Sequence, residues 1–186
     1  MSKLKITGIV LAGGKSSRMG YDKGLAKVGE RKMIELVIQS LKKVCDTIII
    51  ISNTNAYNDL NIPVYVDLIK DCGPIGGIFT GLFHSQTDHN LIVACDMPFV
   101  SDKLLNNIIN HCENNQIVIP SIKNQLEPLC GYYHKNILLE IKSFVDDEEY
   151  SVHKIIKHFK YEAIPFDSNS ILLTNVNTPD ELNKIQ

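Results

Sequence analysis

The chain has 186 residues, of which 44% are hydrophobic and 22% are charged, and its formal net charge at pH 7 is −2. This composition excludes a disordered chain, and the length fits one domain, which we expect to span residues 1–186. Because the basic residues are scattered and balanced by acidic ones, we expect no nucleic-acid partner.

The apolar segments and the cysteines predict a cytoplasmic protein without a membrane anchor. No apolar run approaches the roughly 20 residues that a membrane helix needs, and the N-terminal residues carry no cleavage signal of small residues. The five cysteines are widely spaced and form no CxxC pair, which argues against a zinc ribbon or a disulfide framework. We expect them to be free thiols in a reducing compartment.

Short β-branched runs alternate along the chain with segments of helical period. The runs predicted as buried strands are Ile6–Ala12, Thr47–Ser52, Val64–Asp67, Leu91–Asp96 and Ile117–Pro120. Helices are predicted over Met33–Val44, after a candidate N-cap at Ser101, and from Thr178 onward. Pro128–His134 is a candidate extra strand whose direction, parallel or antiparallel, is open, and residues 146–150 are expected to form a solvated loop.

This alternation predicts an α/β fold, a doubly wound and mostly parallel sheet sandwiched by helices in the Rossmann-like manner. Ligands of such sheets bind beyond the carboxyl ends of the strands. The residues that follow each predicted strand are therefore the candidates for chemistry.

A glycine-rich, basic loop follows the first strand. Gly13 and Gly14 allow the backbone to approach an anion and turn its N–H groups toward phosphate oxygens. Arg18 and Lys23 add two permanent positive charges that suit a triphosphate. The alternative is a surface turn with solvated basic side chains. The loop lacks the Lys-Ser/Thr of a P-loop and the G-x-G-x-x-G of a dinucleotide site.

Two further features follow later strands. Asp96 ends a very apolar strand, where a lone carboxylate needs a partner; Mg²⁺ bound to triphosphate oxygens would be one, and a helix cap or a salt bridge is the alternative. The glycines around Gly76 precede a predicted helix, whose N-terminus offers N–H groups to an anion. Tight packing of that helix on the sheet is compatible with this role.

The loop Leu11-Ala12-Gly13-Gly14-x-Ser16-x-Arg18-Met19-Gly20-x-Asp22-Lys23 resembles the signature loop of the molybdenum cofactor guanylyltransferases. Later segments match that family in order along the whole chain: Asp67, Gly73–Gly77, Cys95-Asp96-Met97-Pro98, Glu127-Pro128-Leu129 and Asn175–Pro179. The resemblance implies a nucleotidyltransferase that moves GMP from GTP to the phosphate of molybdopterin, releases pyrophosphate and depends on magnesium.

The resemblance also implies roles for individual residues. Arg18, Lys23 and Asp96 would be catalytic, with Asp96 as the magnesium ligand. The nucleotide would contact Leu11, Ala12, Gly13, Gly14, Lys23, Asn53, Asp67, Gly76 and Asp96. Asn53 and Asn55 both match an asparagine-bearing loop, and we favour Asn53; a turn-forming role is the alternative for Asp67.

Asn175 and Asn177 match positions near the pterin substrate, although each can also satisfy a turn. Arg31, Lys32 and Glu127–Leu129 are further candidates on that side, which the sequence does not rank.

The implied reaction needs no general base, because a phosphate nucleophile is already ionised at neutral pH. We therefore expect the six histidines to be structural or exposed. The expected ligands are GTP, molybdopterin and Mg²⁺, and transient contacts with cofactor-biosynthesis or molybdoenzyme-maturation proteins are a further expectation.

The sequence leaves three alternatives to a guanylyltransferase. The first is a cytidylyltransferase acting on the same cofactor, whose relatives tend to carry Leu-Ala-Ala-Gly where this chain has Gly13-Gly14. The second is another small-molecule nucleotidyltransferase, such as one acting on a sugar phosphate. The third is a nucleotide-binding regulator without catalysis, against which Arg18, Lys23 and Asp96 argue.

Overall fold

The structure is a computed structural model that describes residues 4–13, 23–167 and 171–176. Its strands are β1 Ile6–Leu11, β2 Lys27–Val28, β3 Arg31–Lys32, β4 Thr47–Ile51, β5 Val64–Tyr65, β6 His89–Ala94, β7 Ile117–Ile122, β8 Gln125–Leu126, β9 Cys130–His134 and β10 Tyr161–Phe166. Its α-helices are α1 Met33–Leu41, α2 Pro74–His84, α3 Asp102–Ile109, α4 Leu138–Asp146 and α5 Val152–Ile155. The helix predicted from Thr178 lies outside the described residues.

Eight of these strands form one sheet in the order β10-β7-β9-β6-β1-β4-β5, with β8 paired to β7. Strand β1 runs parallel to both β4 and β6, and β10 runs parallel to β7. Strand β9 is antiparallel to both of its neighbours. The predicted mostly parallel sheet is confirmed, and the extra strand predicted in Pro128–His134 is antiparallel.

Apolar side chains on the two faces of the sheet build two cores. One face is covered by α1 and α3, which contribute residues such as Leu41 and Leu105. The other is covered by α2, α4 and α5, which contribute residues such as Ile78 and Ile155. Burial of these apolar faces drives the assembly of sheet and helices. Helices on both faces confirm the doubly wound α/β architecture.

Local sequence signals explain several boundaries. Ser101 is the N-cap of α3, as predicted, because its side-chain oxygen accepts a hydrogen bond of 3.3 Å from the backbone N–H of Leu104. Helix α2 has Pro74 in its first turn, where a missing N–H costs nothing. None of the helices in the described part of the chain has the length and hydropathy needed to span a bilayer.

The register of the central strands determines where the site lies. Leu11 of β1 pairs with Ile51 of β4 and with Ala94 of β6, so the three strands end side by side. The segments that follow them therefore emerge together at the carboxyl edge of the sheet.

Candidate active site

Backbone hydrogen bonds join the three segments that leave the sheet at this edge. The N–H of Ala12 donates to the carbonyl of Ile51 at 2.9 Å, and the N–H of Cys95 donates to the carbonyl of Leu11 at 3.0 Å. The hydroxyl of Ser52 donates to the carbonyl of Ala12 at 3.2 Å. These bonds extend the sheet by one residue and hold the floor of a cavity rigidly.

That cavity has a volume of about 580 Å³. It brings together seven of the residues predicted for the nucleotide site: Leu11, Ala12, Gly13, Lys23, Asn53, Asp67 and Asp96. Gly14, Arg18 and Asn177 lie outside the described residues. Two further predicted residues, Gly76 and Asn175, are not among the described residues that line the cavity.

A charged pair, Lys23 and Asp96, lies at one side of the cavity. Lys23 is the first residue of a 3-10 turn, Lys23–Leu25, and Asp96 lies two residues after the end of β6. The Nζ of Lys23 lies 3.6 Å from Oδ2 of Asp96. The side chains are 24% and 19% exposed, so both are accessible from the cavity. Burial raises the pKa of the Asp96 carboxyl, and the positive charge of Lys23 opposes this shift.

A second pair, Asn53 and Asp67, lies beside the backbone of Gly13. The Nδ2 of Asn53 donates to Oδ2 of Asp67 at 2.8 Å, and the N–H of Asp67 donates to Oδ1 of Asn53 at 3.1 Å. This double contact fixes both side chains after β4 and β5. Burial raises the pKa of the Asp67 carboxyl, and the hydrogen bond from Asn53 opposes the shift.

One oxygen of Asp67 remains available for a ligand. Its Oδ1 is buried and has no hydrogen-bond partner within the described ranges. A methyl group built on Gly77 would lie 3.7 Å from this oxygen, so the carboxylate lies against the first turns of α2. A buried acceptor without a donor is costly, so this oxygen is a candidate contact for a donor group of a bound molecule.

The N-terminus of α2 forms another wall. Gly73 has a φ of 62°, and Gly73, Pro74 and Gly77 line the cavity. The predicted glycine Gly76 instead packs beneath the turn, where an added methyl group would lie 3.0 Å from the carbonyl oxygen of Ile69. The helix thus directs its positive dipole end toward the space where an anion would lie.

Glu127 forms a third polar group near Asp96. Its Oε2 accepts a long hydrogen bond of 3.5 Å from Nδ2 of Asn175, whose Oδ1 is buried without a partner in the described part of the chain. The N–H of Val176 donates to the carbonyl of Asp96 at 2.9 Å, which ties this segment to the site. Burial raises the pKa of the Glu127 carboxyl, and the negative charge of Asp96 raises it further.

The donor set fits a hard cation bound together with an anionic ligand. Residues 4–13, 23–167 and 171–176 hold no group of three or more His, Cys, Asp or Glu side chains that could enclose a metal. Mg²⁺ does not need such a cage, since it is bound through one or two carboxylates, water and phosphate oxygens. Asp96 supplies one accessible carboxylate. Glu127 lies close enough for the two carboxylates to repel each other electrostatically, so a second carboxylate is near the first. This arrangement matches the one or two carboxylates that Mg²⁺ needs.

The structure adds residues that the sequence did not single out. Thr54, Asp71 and Cys72 are such residues and line the cavity. Leu129, one of the candidates that the sequence did not rank, lines it as well, and none of the six histidines, all within the described ranges, does so. Tyr57 is fully buried close to the turn that carries Lys23. A lone aromatic residue in the polar stretch of residues 53–61 was the available signal for it.

Comparison with known proteins places this architecture among nucleotide-transferring enzymes. The family profile described as the MobA-like NTP transferase domain matches residues 8–163. A molybdenum cofactor guanylyltransferase of Flavobacterium johnsoniae is 36% identical over 182 residues, covering 97% of this chain and 96% of the relative. One of Natranaerobius thermophilus is 32% identical over 190 residues, covering 95% and 93%.

A solved structure has the same fold. The molybdopterin-guanine dinucleotide biosynthesis protein A of Archaeoglobus fulgidus superimposes with a TM-score of 0.78 over 96% of both chains. Its sequence identity is 22%, so this likeness shows the Rossmann-like nucleotidyltransferase fold.

Proposed function

This chain belongs to the molybdenum cofactor guanylyltransferase family, and on that premise we propose that it transfers GMP from GTP to the phosphate of molybdopterin, with release of pyrophosphate. It is an enzyme of the nucleotidyltransferase class. The observation that carries the proposal is a single cavity that holds an amide–carboxylate pair, Asn53 and Asp67, and a charged pair, Lys23 and Asp96.

The positions of these pairs suggest how GTP is bound. The buried acceptor of Asp67, together with Asn53, suits the hydroxyl and N–H donors of a nucleoside. The backbone of Ala12 and Gly13 and the N-terminus of α2 offer donors and a positive dipole end to the phosphates. Lys23 lines the same cavity and brings a positive charge to it.

The transfer step forms one bond and breaks one. A phosphate oxygen of molybdopterin attacks the α-phosphorus of GTP, and the bond from that phosphorus to the β-phosphate oxygen breaks. Since the attacking phosphate is already ionised, the protein has to align two anions and offset the charge of the transition state. Lys23 supplies one cation for this task, and Arg18 is proposed to supply another.

We further propose that the reaction depends on magnesium held by Asp96. When bound, the ion would neutralise phosphate charge and orient the phosphate oxygens. Lys23 lies close enough to hold the Asp96 carboxylate in place. Glu127 adds negative charge on the side where Asn175 lies.

We propose that the pterin substrate binds on the side of Asp96 that faces Asn175. The segment that carries Asn175 is fixed to the Asp96 backbone by Val176, whose side chain is buried with Ala26 and Met33. Asn177 is proposed to act on the same side.

All five cysteines are free thiols, which supports a proposal that the enzyme works in the reducing cytoplasm.

The test is a reconstituted transfer reaction. Purified protein, GTP, molybdopterin and magnesium should yield pyrophosphate and a dinucleotide containing GMP, in equal amounts. Omitting molybdopterin should abolish the release of pyrophosphate. Pyrophosphate release without dinucleotide formation would contradict the proposed acceptor, and the absence of both products would contradict the proposed activity.

A further inference from the structure

The carboxylate of Asp67 is carried by a short segment after β5 whose neighbouring side chains point into solvent. Val66 and Leu68, which flank Asp67, are 59% and 48% exposed, so burial of these two side chains does little to hold the segment. Asn53 binds Asp67 from one side through two hydrogen bonds. The position of the carboxylate therefore depends on what holds the backbone on its other side, at Leu68.

A buried threonine of α2 holds the backbone there. The N–H of Leu68 donates to the hydroxyl of Thr80 at 3.0 Å, and the same hydroxyl donates to the carbonyl of Gly76 at 2.8 Å. Thr80 is 0% exposed. One hydroxyl thus uses its proton within the helix and its oxygen on the segment after β5. It ties this segment to a helix whose apolar side chains pack on the sheet.

The same part of α2 lies close to the carboxylate and to β1. A methyl group built on Gly77 would lie 3.2 Å from Cδ2 of Leu11 and 3.7 Å from Oδ1 of Asp67. Gly77 also lines the cavity. A shift of the segment relative to α2 would therefore change how the buried acceptor of Asp67 lies against the cavity wall.

We propose that Thr80 is a positioning residue for nucleotide binding, which holds the Asp67 carboxylate at the place where GTP contacts it. Thr80 is not among the described residues that line the cavity, so it acts through Leu68 and Asp67 and not by contact with the ligand. The inference rests on the proposed function, since it assigns Asp67 to the nucleoside of GTP. A misplacement of about 1 Å in such a site can cost on the order of a hundredfold in rate.

Thr80→Val keeps the shape of the side chain and replaces the hydroxyl by a methyl group. Because a carbon atom packs at roughly 3.5–4.0 Å, the N–H of Leu68 must move away, and it loses its acceptor. We expect the Kd for GTP with magnesium, measured by equilibrium titration, to rise about tenfold. KM for molybdopterin should stay within about twofold of the parent. A Thr80→Val protein that binds GTP like the parent overturns the proposal.

Two further variants separate the hydroxyl from the packing. Thr80→Ser restores the hydroxyl and loses only a methyl group, so it should bind GTP within about threefold of the parent. If Thr80→Ser binds GTP as weakly as Thr80→Val, the hydroxyl is not what matters and the proposal is overturned. Should Thr80→Val not fold, Thr80→Ala carries the same test, because it also removes the hydroxyl.

A second buried threonine provides the matched control for loss of stability. Thr7 is 1% exposed, and its hydroxyl lies 3.2 Å from that of Thr47 and 2.8 Å from that of Thr87. It lies near the amino end of β1, at the opposite edge of the sheet from the cavity. Thr7→Val should lower the melting temperature and leave the Kd for GTP unchanged. If it weakens GTP binding as much as Thr80→Val does, the effect at Thr80 is one of stability and the proposal is overturned.

A double-mutant cycle tests whether Thr80 acts through Asp67. In the Asp67→Asn background, Thr80→Val should raise the Kd for GTP by no more than about twofold, because the acceptor that it positions is already lost. A further tenfold rise overturns the proposal. If the parent binds GTP but transfers no GMP, the proposed function fails, while the titrations still decide the role of Thr80. If the parent does not bind GTP, both fail.

Discussion

The Nζ atom of Lys23 lies 3.6 Å from Oδ2 of Asp96, although 73 positions separate the two residues in the chain. In the chain, Lys23 comes after β1 and Asp96 comes after β6, and these two strands pair in parallel. The sheet register brings the ends of both strands to the edge at which the pair lies. It sets a positive charge and a carboxylate side by side at the cavity, where phosphates and a metal would meet.

Removing the cation should slow the reaction without unfolding the protein. Lys23→Ala is expected to lower kcat by about a hundredfold, as for other groups that stabilise developing phosphoryl charge. The control is Lys103→Ala, an exposed residue on α3, which should leave kcat unchanged. Rates would be measured as pyrophosphate release at saturating GTP. The predicted basic loop has one further lysine, Lys15. A larger loss from Lys15→Ala than from Lys23→Ala would show that the basic loop is assigned wrongly.

Removing the carboxylate should abolish the response to magnesium. Asp96→Asn keeps the size of the side chain, so the melting temperature should stay close to that of the parent. We expect transfer to fall by about a hundredfold or more and magnesium no longer to raise the stabilisation by GTP. Asp147→Asn, at an exposed position directly after α4, is the matched control. Near-normal turnover of Asp96→Asn would exclude Asp96 as the metal ligand.

Asp67 should show a trade-off between stability and binding. Burial raises the pKa of its carboxyl, so the folded state binds this proton more tightly than the unfolded state does. Its contribution to stability is therefore fully present at low pH and is lost as the pH rises through the folded pKa, above the ordinary 3.8. Asp67→Asn, which carries no charge, should melt at or above the temperature of the parent at neutral pH, with the difference closing in acid.

The same variant should lose most of the stabilisation by GTP, because the amide replaces an acceptor oxygen by a donor or forces Asn53 to turn. Melting curves from pH 4 to 8, with and without GTP, would provide both measurements. Asp59→Asn, at an exposed position, serves as the control for surface charge. A variant that is less stable at neutral pH and binds GTP normally would contradict the account of Asp67.

Glu127 should matter for the second substrate more than for GTP. Its carboxylate holds the amide of Asn175, so Glu127→Ala and Asn175→Ala should each raise KM for molybdopterin and leave KM for GTP within about twofold. Because the two side chains act through one contact, the double variant should be no worse than Asn175→Ala. Steady-state kinetics with Glu140→Ala as an exposed control would test this. Losses that multiply would show that the two residues act independently.

The elements of the sheet interior were predictable, while the edge strand β10 and the two-residue strand β8 were not. The runs Ile6–Ala12 and Thr47–Ser52 match β1 and β4 closely, since strands buried on both faces are continuously apolar. Strand β10 was missed because Tyr161–Phe166 lies at the edge of the sheet, includes Pro165 and buries only Ile164 fully. Edge strands lack the continuous apolar run on which such predictions depend.

The site was predictable as a set of residues and not as a set of contacts. Asn53 and Asp67 were each expected near the nucleotide, but their double hydrogen bond depends on how the loops after β4 and β5 fold. Glu127 could not be ranked, because its proximity to Asp96 and Asn175 joins segments that are distant in sequence. Tyr57 was overlooked for the same reason. Its contact with Gly24 exists only in the folded chain.

The central claim is that this enzyme transfers GMP, and one competition experiment tests it most directly. GTP, CTP and ATP at equal concentration would be offered together with molybdopterin and magnesium, and the dinucleotide products would be identified by mass. A guanylyltransferase should form the guanine dinucleotide in large excess, since a site whose polar groups match one base leaves them unpaired with another. Equal or greater formation of the cytosine dinucleotide would contradict the claim and assign the protein to the cytidylyltransferases.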